Sequence, residues 1–351
     1  MSIIAADRIV YPLESTPQYG ELQEVAPNVL WSRMPLPGGL DHINIWLLRN
    51  DNGYAVIDTG MFTEDAVSAW QKLMADLPVD APVRTVYATH FHPDHVGMAG
   101  WLVREGAEQF WMTQLEYMTC RIVYSQINND GVPLEFEAFN RSAGWPEKAI
   151  GNYAQQYGSY RKRVSQPPFS YRRLAEGQTH SIGGSDWKVV VGSGHSPEHA
   201  CFYSKELKLL ISGDQVLPRI SSNVSVTPVD PFANPMADWL GSLNKLKVEI
   251  PDDVMVLPAH QECFFGLHAR IDELIESQIQ VLAALLKSLH GAPKRVFDVF
   301  EVLFSRPISQ ENLLIFNLAT GEAVACLNYL YERGEITCSV DSQGVRWYQA
   351  L

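Results

Sequence analysis

Three histidines and an aspartate lie within six residues of the stretch YATHFHPDHVGMAGW. His90 and His92 are alternate residues, and alternate side chains of an extended segment point the same way. Asp94 and His95 follow a proline and can face a second ion across the turn. Neutral imidazole nitrogens and carboxylate oxygens bind divalent transition metals at roughly 2.0–2.2 Å. The spacing therefore predicts a metal site, with a solvated polar turn as the alternative.

The remaining ligands of such a site must come from distant parts of the chain. The candidates are His195 in GSGHSPEH, Asp214 in ISGDQV and His260 in LPAHQE. Each follows an apolar run typical of a buried strand, as the first cluster does. Because loops at strand ends are where a rigid sheet presents chemistry, we expect these side chains to converge.

The elements before and between these residues predict an α/β fold. Two apolar runs flank Asn50–Gly53, a turn that tolerates positive φ, and they predict a hairpin. TEDAVSAWQKLMADL follows with helical spacing and an N-cap at Thr63. The segment at about 104–173 is aromatic and helix-prone, and it predicts a helical insertion rather than core sheet.

The composition changes after about residue 265. Helical spacing in RIDELIESQIQVLAALLKSLH predicts one apolar face, formed by Ile271, Leu274, Ile275, Ile279, Leu282, Leu286 and Leu289. Two shorter helical segments follow, then a hairpin with its turn at Ser342–Gly344. Three helices and a hairpin predict a small winged-helix-like domain. Its seven lysines and arginines against ten acids disfavour DNA binding and favour an architectural or dimerisation role.

THFHPDH resembles the HxHxDH motif of the metallo-β-lactamase superfamily. SGHSPEH, SGDQVLP and PAHQE resemble later motifs of that superfamily in the same order, and VIDTG at Val56–Gly60 resembles the motif that precedes them. The resemblance covers about residues 25–265. It implies a four-layer αββα sandwich, with a catalytic domain over 1–265, the helical insertion at about 104–173 and the winged-helix-like domain over 266–351.

The resemblance also assigns roles to individual residues. It implies a dinuclear site whose ligands fall into three sets: His90, His92 and His195 for one metal, Asp94, His95 and His260 for the other, and Asp214 bridging both. Asp58 in VIDTG would orient the ligand loops. The implied cofactors are two divalent ions, with zinc favoured and iron or manganese as alternatives.

This chemistry predicts a metal-dependent hydrolase. Two neighbouring cations can lower the pKa of a bound water to about 7 and clamp an acyl or phosphoryl centre. We expect the resulting hydroxide to attack a small ester, thioester or lactone, with Asp94 accepting a proton or orienting the nucleophile. The alternative is a metal-dependent phosphodiesterase or nuclease that acts on RNA or DNA.

The bulk composition narrows the partners and the compartment. A net charge of −13 over 351 residues disfavours binding to nucleic acid or to an anionic membrane. The first residues lack a signal-peptide pattern, and no uninterrupted apolar run of about 18 residues predicts a transmembrane helix. Five dispersed cysteines fit free thiols in a reducing compartment. We therefore expect a cytoplasmic enzyme with a small-molecule substrate, in a chain that could form homo-oligomers.

A few further side chains are candidates for substrate contact. His42 in GGLDHINIW could line the cleft, although a turn or core role is the alternative. Ser221, Ser222 and Asn223 follow the bridging aspartate, where a substrate-facing loop would fall. The segment 158–173 carries a run of five basic residues and no acid, namely Arg161, Lys162, Arg163, Arg172 and Arg173. This run could hold an anionic substrate tail, with a solvated cationic face as the alternative.

Overall fold

A computed structural model describes residues 8–126 and 131–351. A seven-stranded mixed sheet follows the chain order. Its strands are β1 (Gln23–Ala26), β2 (Val29–Pro35), β3 (His42–Asn50), β4 (Gly53–Ile57), β5 (Val83–Tyr87), β6 (Gln109–Thr113) and β7 (Arg172–Leu174). The first four strands pair in antiparallel fashion, and β4 to β7 pair in parallel. The predicted hairpin around Asn50–Gly53 is confirmed as β3 and β4.

A second mixed sheet has five strands in the order β12-β11-β10-β9-β8. Its strands are β8 (Thr179–Ile182), β9 (Ser185–Gly192), β10 (His199–Ser204), β11 (Leu209–Gly213) and β12 (Met255–Pro258). The pairs from β8 to β11 are antiparallel, whereas β11 and β12 are parallel. A separate hairpin joins β13 (Ile336–Val340) to β14 (Arg346–Ala350), which confirms the turn predicted near Ser342–Gly344.

Ten α-helices accompany these strands within the described residues. They are α1 (Glu64–Asp76), α2 (Pro93–Val96), α3 (Ala99–Arg104), α4 (Gln114–Ser125), α5 (Leu134–Ser142), α6 (Glu147–Ala154), α7 (Pro235–Glu249), α8 (Leu267–Ser288), α9 (Phe300–Leu303) and α10 (Leu313–Glu332). Short 3₁₀ helices lie at Ser159–Lys162 and Phe297–Val299. Thr63 caps α1 as predicted, because its side chain accepts a hydrogen bond of 3.1 Å from the backbone N–H of Ala66.

The side chains of β3 contribute to two hydrophobic cores, one on each face of the strand. Ile43 and Leu47 belong to the core that covers the outer face of the seven-stranded sheet, together with residues of α1, α3 and α4. Trp46 and Leu48 belong instead to the core shared with the five-stranded sheet, which contributes residues such as Phe202. Because side chains of a strand alternate between its faces, one apolar strand serves both layers. The two sheets therefore face each other across a shared apolar core.

The chain folds into two compact units. The first comprises residues 8–126, 158–222 and 243–271, and it contains both large sheets. The second comprises the described residues 131–157, 223–242 and 272–351. The segment predicted as a helical insertion, 104–173, contributes α4 to α6, but it also supplies β6 and β7 to the seven-stranded sheet. The prediction that this segment lies outside the core sheet is therefore wrong for those strands, because the short apolar run of β6 is hidden in a stretch of aromatic, helix-forming residues.

The second unit is organised around α10, where Trp145 donates a 2.8 Å hydrogen bond to Thr320 Oγ1. By length and composition this helix could cross a membrane, yet 61% of its most apolar window is buried, as in the core helix of a soluble protein. The predicted apolar face of α8 is partly wrong. Ile279 is 54% exposed, and Leu285, rather than Leu286, is fully buried beside Leu282. A winged-helix interpretation of this C-terminal region stays a prediction.

Candidate metal centre

Four strands deliver the predicted ligand residues to one place. The loop after β5 carries His90 and His92, the short helix α2 that follows carries Asp94 and His95, and the loop after β9 carries His195. Asp214 directly follows β11, and His260 lies two residues after β12. Side chains from both sheets therefore converge at strand ends, as the sequence predicts.

The first cluster is the three-histidine group, formed by His90, His92 and His195. His90 Nε2 lies 2.8 Å from His92 Nδ1 and 3.2 Å from His195 Nε2, and the latter two nitrogens are 3.0 Å apart. In a tetrahedral site, imidazole–metal bonds of ~2.0–2.1 Å place ligand nitrogens roughly 3.3 Å apart. The three nitrogens thus form a triangle close to the size that a bound cation requires.

The second cluster is the mixed group, formed by Asp94, His95 and His260. His260 Nε2 lies 3.4 Å from Asp94 Oδ2, and His95 Nε2 lies 3.6 Å from the same oxygen. Asp214 lies between the two groups. Its Oδ2 is 3.4 Å from both His195 Nε2 and His95 Nε2, and its Oδ1 is 3.5 Å from His260 Nε2. All seven predicted ligand side chains are therefore neighbours in space.

Asp58 fixes the position of His95. Its Oδ2 lies 2.8 Å from His95 Nδ1, which leaves Nε2 of that ring facing the cluster. The same carboxylate accepts a 2.8 Å hydrogen bond from the backbone N–H of Thr89, the residue before His90. Asp58 itself has a left-handed backbone with φ 62°, a conformation that aspartate tolerates better than most residues. A left-handed backbone is costly for a residue other than glycine, and at Asp58 the surrounding hydrogen bonds hold it in place.

His42 fixes the orientation of His260 in the mixed group. Its backbone carbonyl accepts a 2.9 Å hydrogen bond from His260 Nδ1, so His260 presents Nε2 to the cluster. Its ring is buried between Asp41, with which it pairs, and the backbone N–H of Gln261, which donates to Nε2 over 3.0 Å. Ligand histidines commonly use their second nitrogen in this way, which fixes ring orientation and tautomer.

Glu116 is a site residue that the sequence did not reveal. It lies on α4 and is fully buried. Its Oε2 accepts a 3.0 Å hydrogen bond from the N–H of Phe91, and its Oε1 accepts one of 2.7 Å from the N–H of Glu198. One carboxyl group therefore connects the loop of His90 and His92 to the loop that follows His195. Burial raises the pKa of Glu116 to about 7.

His199 is a further histidine of the site, and it contacts the backbone of Asp214. Its Nε2 accepts a 3.1 Å hydrogen bond from the backbone N–H of Asp214. The glycine before Asp214 makes this approach possible, because a Cβ at Gly213 would lie 2.5 Å from the His199 ring. Gly213 also has φ 51°, so both its space and its backbone favour glycine. His199 therefore positions the shared aspartate.

The two groups differ in their electrostatics. Burial, reinforced by His195, lowers the pKa of His92 to about 3, and burial lowers the pKa of His90 well below its ordinary value. Burial also disfavours charge on His95, yet Asp58, Asp214 and Asp94 raise its pKa well above the ordinary value. For Asp94, burial opposes ionisation, but His95 and His260 lower its pKa to about 2. His90 and His92 are therefore neutral donors, whereas the mixed group attracts positive charge.

These residues fit a pair of divalent cations. His95 Nε2 and Asp214 Oδ1 are buried, and neither has a hydrogen-bond partner in the parts of the chain that the structure describes. Buried polar atoms without a partner are costly unless an ion or water satisfies them. The donors are imidazole nitrogens and carboxylate oxygens, a set that accepts zinc, iron or manganese.

The remaining candidates differ in burial and in hydrogen bonding. Ser222 is buried and donates a hydrogen bond to the backbone carbonyl of Asp214, and Ser221 is exposed. In the second unit, the Asn223 amide donates a 2.7 Å hydrogen bond to Glu322. The five basic side chains of the segment 158–173 are exposed.

Comparison with known proteins agrees with this geometry. The family model for the metallo-β-lactamase superfamily matches residues 38–260, and the model for a metallo-β-lactamase-like C-terminal domain matches residues 282–351. A beta-lactamase domain protein from Burkholderia ambifaria has a crystal structure that is 35% identical, with 99% of both chains covered and a TM-score of 0.89.

Two curated relatives are more distant. An atrochrysone carboxyl ACP thioesterase from Aspergillus fumigatus is 24% identical over 280 residues, which is 77% of this chain and 69% of that protein. An acyl-coenzyme A thioesterase from Homo sapiens is 24% identical over 254 residues, which is 69% of this chain and 81% of that protein. The family model alone covers more than half of the sequence, and the fold and the ligand order agree with it. The chain therefore belongs to the metallo-β-lactamase superfamily and carries the C-terminal domain associated with it.

Proposed function

We propose that this protein is a metal-dependent hydrolase that cleaves acyl thioesters. The observation that carries the proposal is the position of Asp214, whose carboxylate lies 3.4–3.5 Å from imidazole nitrogens of both ligand groups. A carboxylate in this position could be a ligand to a cation in either group. The distant relatives that hydrolyse acyl thioesters support this substrate class over other esters and lactones.

In this proposal each ligand group would hold one divalent cation, and Asp214 would be a ligand available to either ion. Zinc is the favoured ion, and iron or manganese would suit the same donors. When bound, the cations supply Lewis-acid activation of water and of the acyl carbonyl. The carbon–sulfur bond of the thioester breaks, the oxygen of water joins the acyl carbon, and a carboxylic acid and a thiol leave.

We assign to Asp94 the role of orienting the attacking water. Its side chain is 18% exposed, against 10% for Asp214, so it is the site carboxylate with more access to solvent. Its low pKa keeps it ionised at neutral pH. A carboxylate of such low basicity orients a water by accepting its hydrogen bond more effectively than it removes a proton. Asp58, Glu116 and His199 fix the segments that carry the metal ligands, through the hydrogen bonds described above.

The test is a substrate panel with protein purified without chelator. We expect about two metal ions per chain and turnover of octanoyl-N-acetylcysteamine at least tenfold faster, in kcat/KM, than turnover of an octanoate ester, a lactone or a fluorescent RNA. Dialysis against a chelator should abolish turnover, and added zinc or manganese should restore it. Cleavage of the RNA without turnover of any acyl substrate would support the nuclease alternative and contradict the proposal.

A further inference from the structure

The loop that carries His195 is a short hairpin connection between β9 and β10. The residues at its two ends, Gly192 and His199, pair with each other in the five-stranded sheet. Inside the loop, the N–H of Gly194 donates a 3.1 Å hydrogen bond to the carbonyl of Ser196. These contacts fix the shape of the loop. They leave its orientation towards the seven-stranded sheet undetermined, because each of them lies within the hairpin itself.

Glu198, the last residue of this loop, is bound to the start of α4 through three hydrogen bonds. Its backbone N–H donates one of 2.7 Å to Glu116 Oε1. Its backbone carbonyl accepts one of 2.7 Å from the Thr113 hydroxyl, and its carboxylate accepts one of 2.8 Å from the N–H of Leu115. The N–H, the carbonyl and the side chain of one residue therefore all contact one helix terminus.

These contacts form a capping box that is divided between two distant segments. In an ordinary capping box, the N-cap side chain bonds to an N–H of the first turn, and a glutamate three residues later bonds back to the N-cap N–H. Thr113 is the N-cap of α4, but its side chain makes no capping hydrogen bond within the described part of the chain. Glu198 takes over this role, because its carboxylate accepts from Leu115 and its N–H donates to Glu116. The negative charge of Glu198 is also favoured at a helix N-terminus.

Helix α4 is a suitable anchor because it belongs to the other sheet. It directly follows β6, and β6 pairs in parallel with β5, the strand that leads to His92. Glu198 therefore connects a loop of the five-stranded sheet to an element of the seven-stranded sheet. Across this connection, His195 Nε2 lies 3.0 Å from His92 Nδ1. The distance between these two nitrogens depends on how the hairpin loop is attached to α4.

A helix cap can also serve stability alone, and α10 provides an example. Asn312 caps that helix, since its side chain accepts a 3.3 Å hydrogen bond from the N–H of Ile315. Glu198 differs from Asn312 because two of its three hydrogen bonds to α4 are made by its own backbone. Its backbone is part of the hairpin loop, three residues after His195. A displacement of Glu198 therefore displaces the loop that carries the ligand.

We propose that Glu198 is a positioning residue of the three-histidine group, which sets the place of His195 opposite His90 and His92 by capping α4. The inference rests on the metal centre of the proposed function and is independent of the substrate. Glu198 acts through the hairpin loop and not on a bound ion. Loss of a residue that supports a metal ligand typically lowers metal affinity about 10–100-fold.

The experiment is a titration of the whole chain with zinc in competition with a chromophoric chelator, which gives the stepwise dissociation constants. Glu198→Ala should weaken one constant by about tenfold and leave the other unchanged. The weakened constant should be the one that His92→Ala abolishes. Glu198→Gln should restore the affinity, because its amide oxygen can still accept the hydrogen bond from Leu115. With cobalt(II) in place of zinc, Glu198→Ala should shift the visible absorption bands, which report the coordination of the ion.

Two further variants separate positioning from folding. Asn312→Ala removes the cap of α10, so it should lower the Tm of the metal-free protein as Glu198→Ala does, with the zinc constants unchanged. Thr113→Val removes the hydroxyl that donates to the Glu198 carbonyl and keeps the shape of the side chain. It should weaken the same zinc constant as Glu198→Ala, by about threefold. Thr113→Val also provides the test if Glu198→Ala does not fold.

The possible failures are distinguishable. If the wild type binds no zinc, the proposed function fails. If the wild type binds zinc but Glu198→Ala and Thr113→Val leave its affinity unchanged, only the positioning inference fails. Equal losses of zinc affinity in Glu198→Ala and Asn312→Ala would show that the effect is one of general stability, and they would overturn the inference.

Discussion

The two ligand groups lie on either side of Asp214 but differ in the type and the charge of their ligands. In the three-histidine group, burial lowers the pKa of His90 and His92, so these two donors are neutral. In the mixed group, burial disfavours charge on His95 and His260, and nearby carboxylates nevertheless raise the pKa of both. One group therefore offers lone pairs with little charge, and the other is an anionic pocket. The difference indicates that two bound ions would be held by different forces and would be separable by mutation.

The largest effect should come from the residue that the groups share. Asp214→Asn removes the negative charge between the two groups and should lower kcat/KM for a thioester by roughly 10³-fold or more. Metal content, measured by mass spectrometry, should fall below two ions per chain. Asp253→Asn is the matched control, because Asp253 is exposed and pairs only with Lys208 among the described residues. Full activity in Asp214→Asn would contradict the shared-ligand assignment.

A pair of single variants tests whether the groups are separable. His92→Ala removes a donor from the three-histidine group, and His260→Ala removes one from the mixed group. Each variant should retain roughly one ion per chain, because the other group keeps its own donors. Metal analysis after dialysis into chelator-free buffer provides the measurement. Loss of both ions in either variant would mean that the groups form one cooperative site.

A smaller effect should follow from the residues behind the ligands. In Glu116→Gln the amide oxygen can accept a hydrogen bond from only one of the two backbone N–H groups, those of Phe91 and Glu198. The amide NH₂ faces the other N–H, and two donors cannot form a hydrogen bond. Because Glu116 connects the two loops of the three-histidine group, metal affinity there should fall about 10–100-fold. Asp58→Asn disturbs His95 and should weaken the mixed group instead. Competition with a chromophoric chelator measures the metal dissociation constant of each group. If either variant weakened both groups equally, the two groups would not be supported by separate residues.

The smallest effect concerns Glu322, a half-buried glutamate of the second unit. Burial raises the pKa of Glu322 to about 7, well above its ordinary value, and the amide of Asn223 only partly offsets this. The folded state then binds more protons than the unfolded state from about pH 4.5 to 7, so stability should decrease as pH rises through this window. Glu322→Gln should weaken that dependence and gain roughly 1–2 kcal/mol at pH 8.

Thermal unfolding across pH measures the effect of Glu322→Gln. The same variant is a matched control for Glu116→Gln, since the pKa of each glutamate is raised to about 7 by burial. Metal affinity should be unchanged in Glu322→Gln. A loss of metal affinity equal to that of Glu116→Gln would show that any buried glutamate of this chain supports the site indirectly.

Local patterns in the sequence determined a large part of this protein. The alternate spacing of His90 and His92, the apolar runs before His195, Asp214 and His260, and the cap at Thr63 depend on neighbouring residues. Alternation and capping are properties of a few consecutive residues, so they can be read without knowledge of the fold. The resemblance to known motifs then supplied the grouping of the ligands.

Other features were decided only by the tertiary structure. Glu116 has the sequence context of an ordinary helix residue, and its role arises because folding brings two backbone N–H groups, at Phe91 and Glu198, to one buried carboxyl group. The sheet position of β6 likewise depends on pairing with β5, which a short aromatic run does not reveal. Contacts between residues far apart in the chain have no local signature, because burial and partner geometry exist only once the chain has folded.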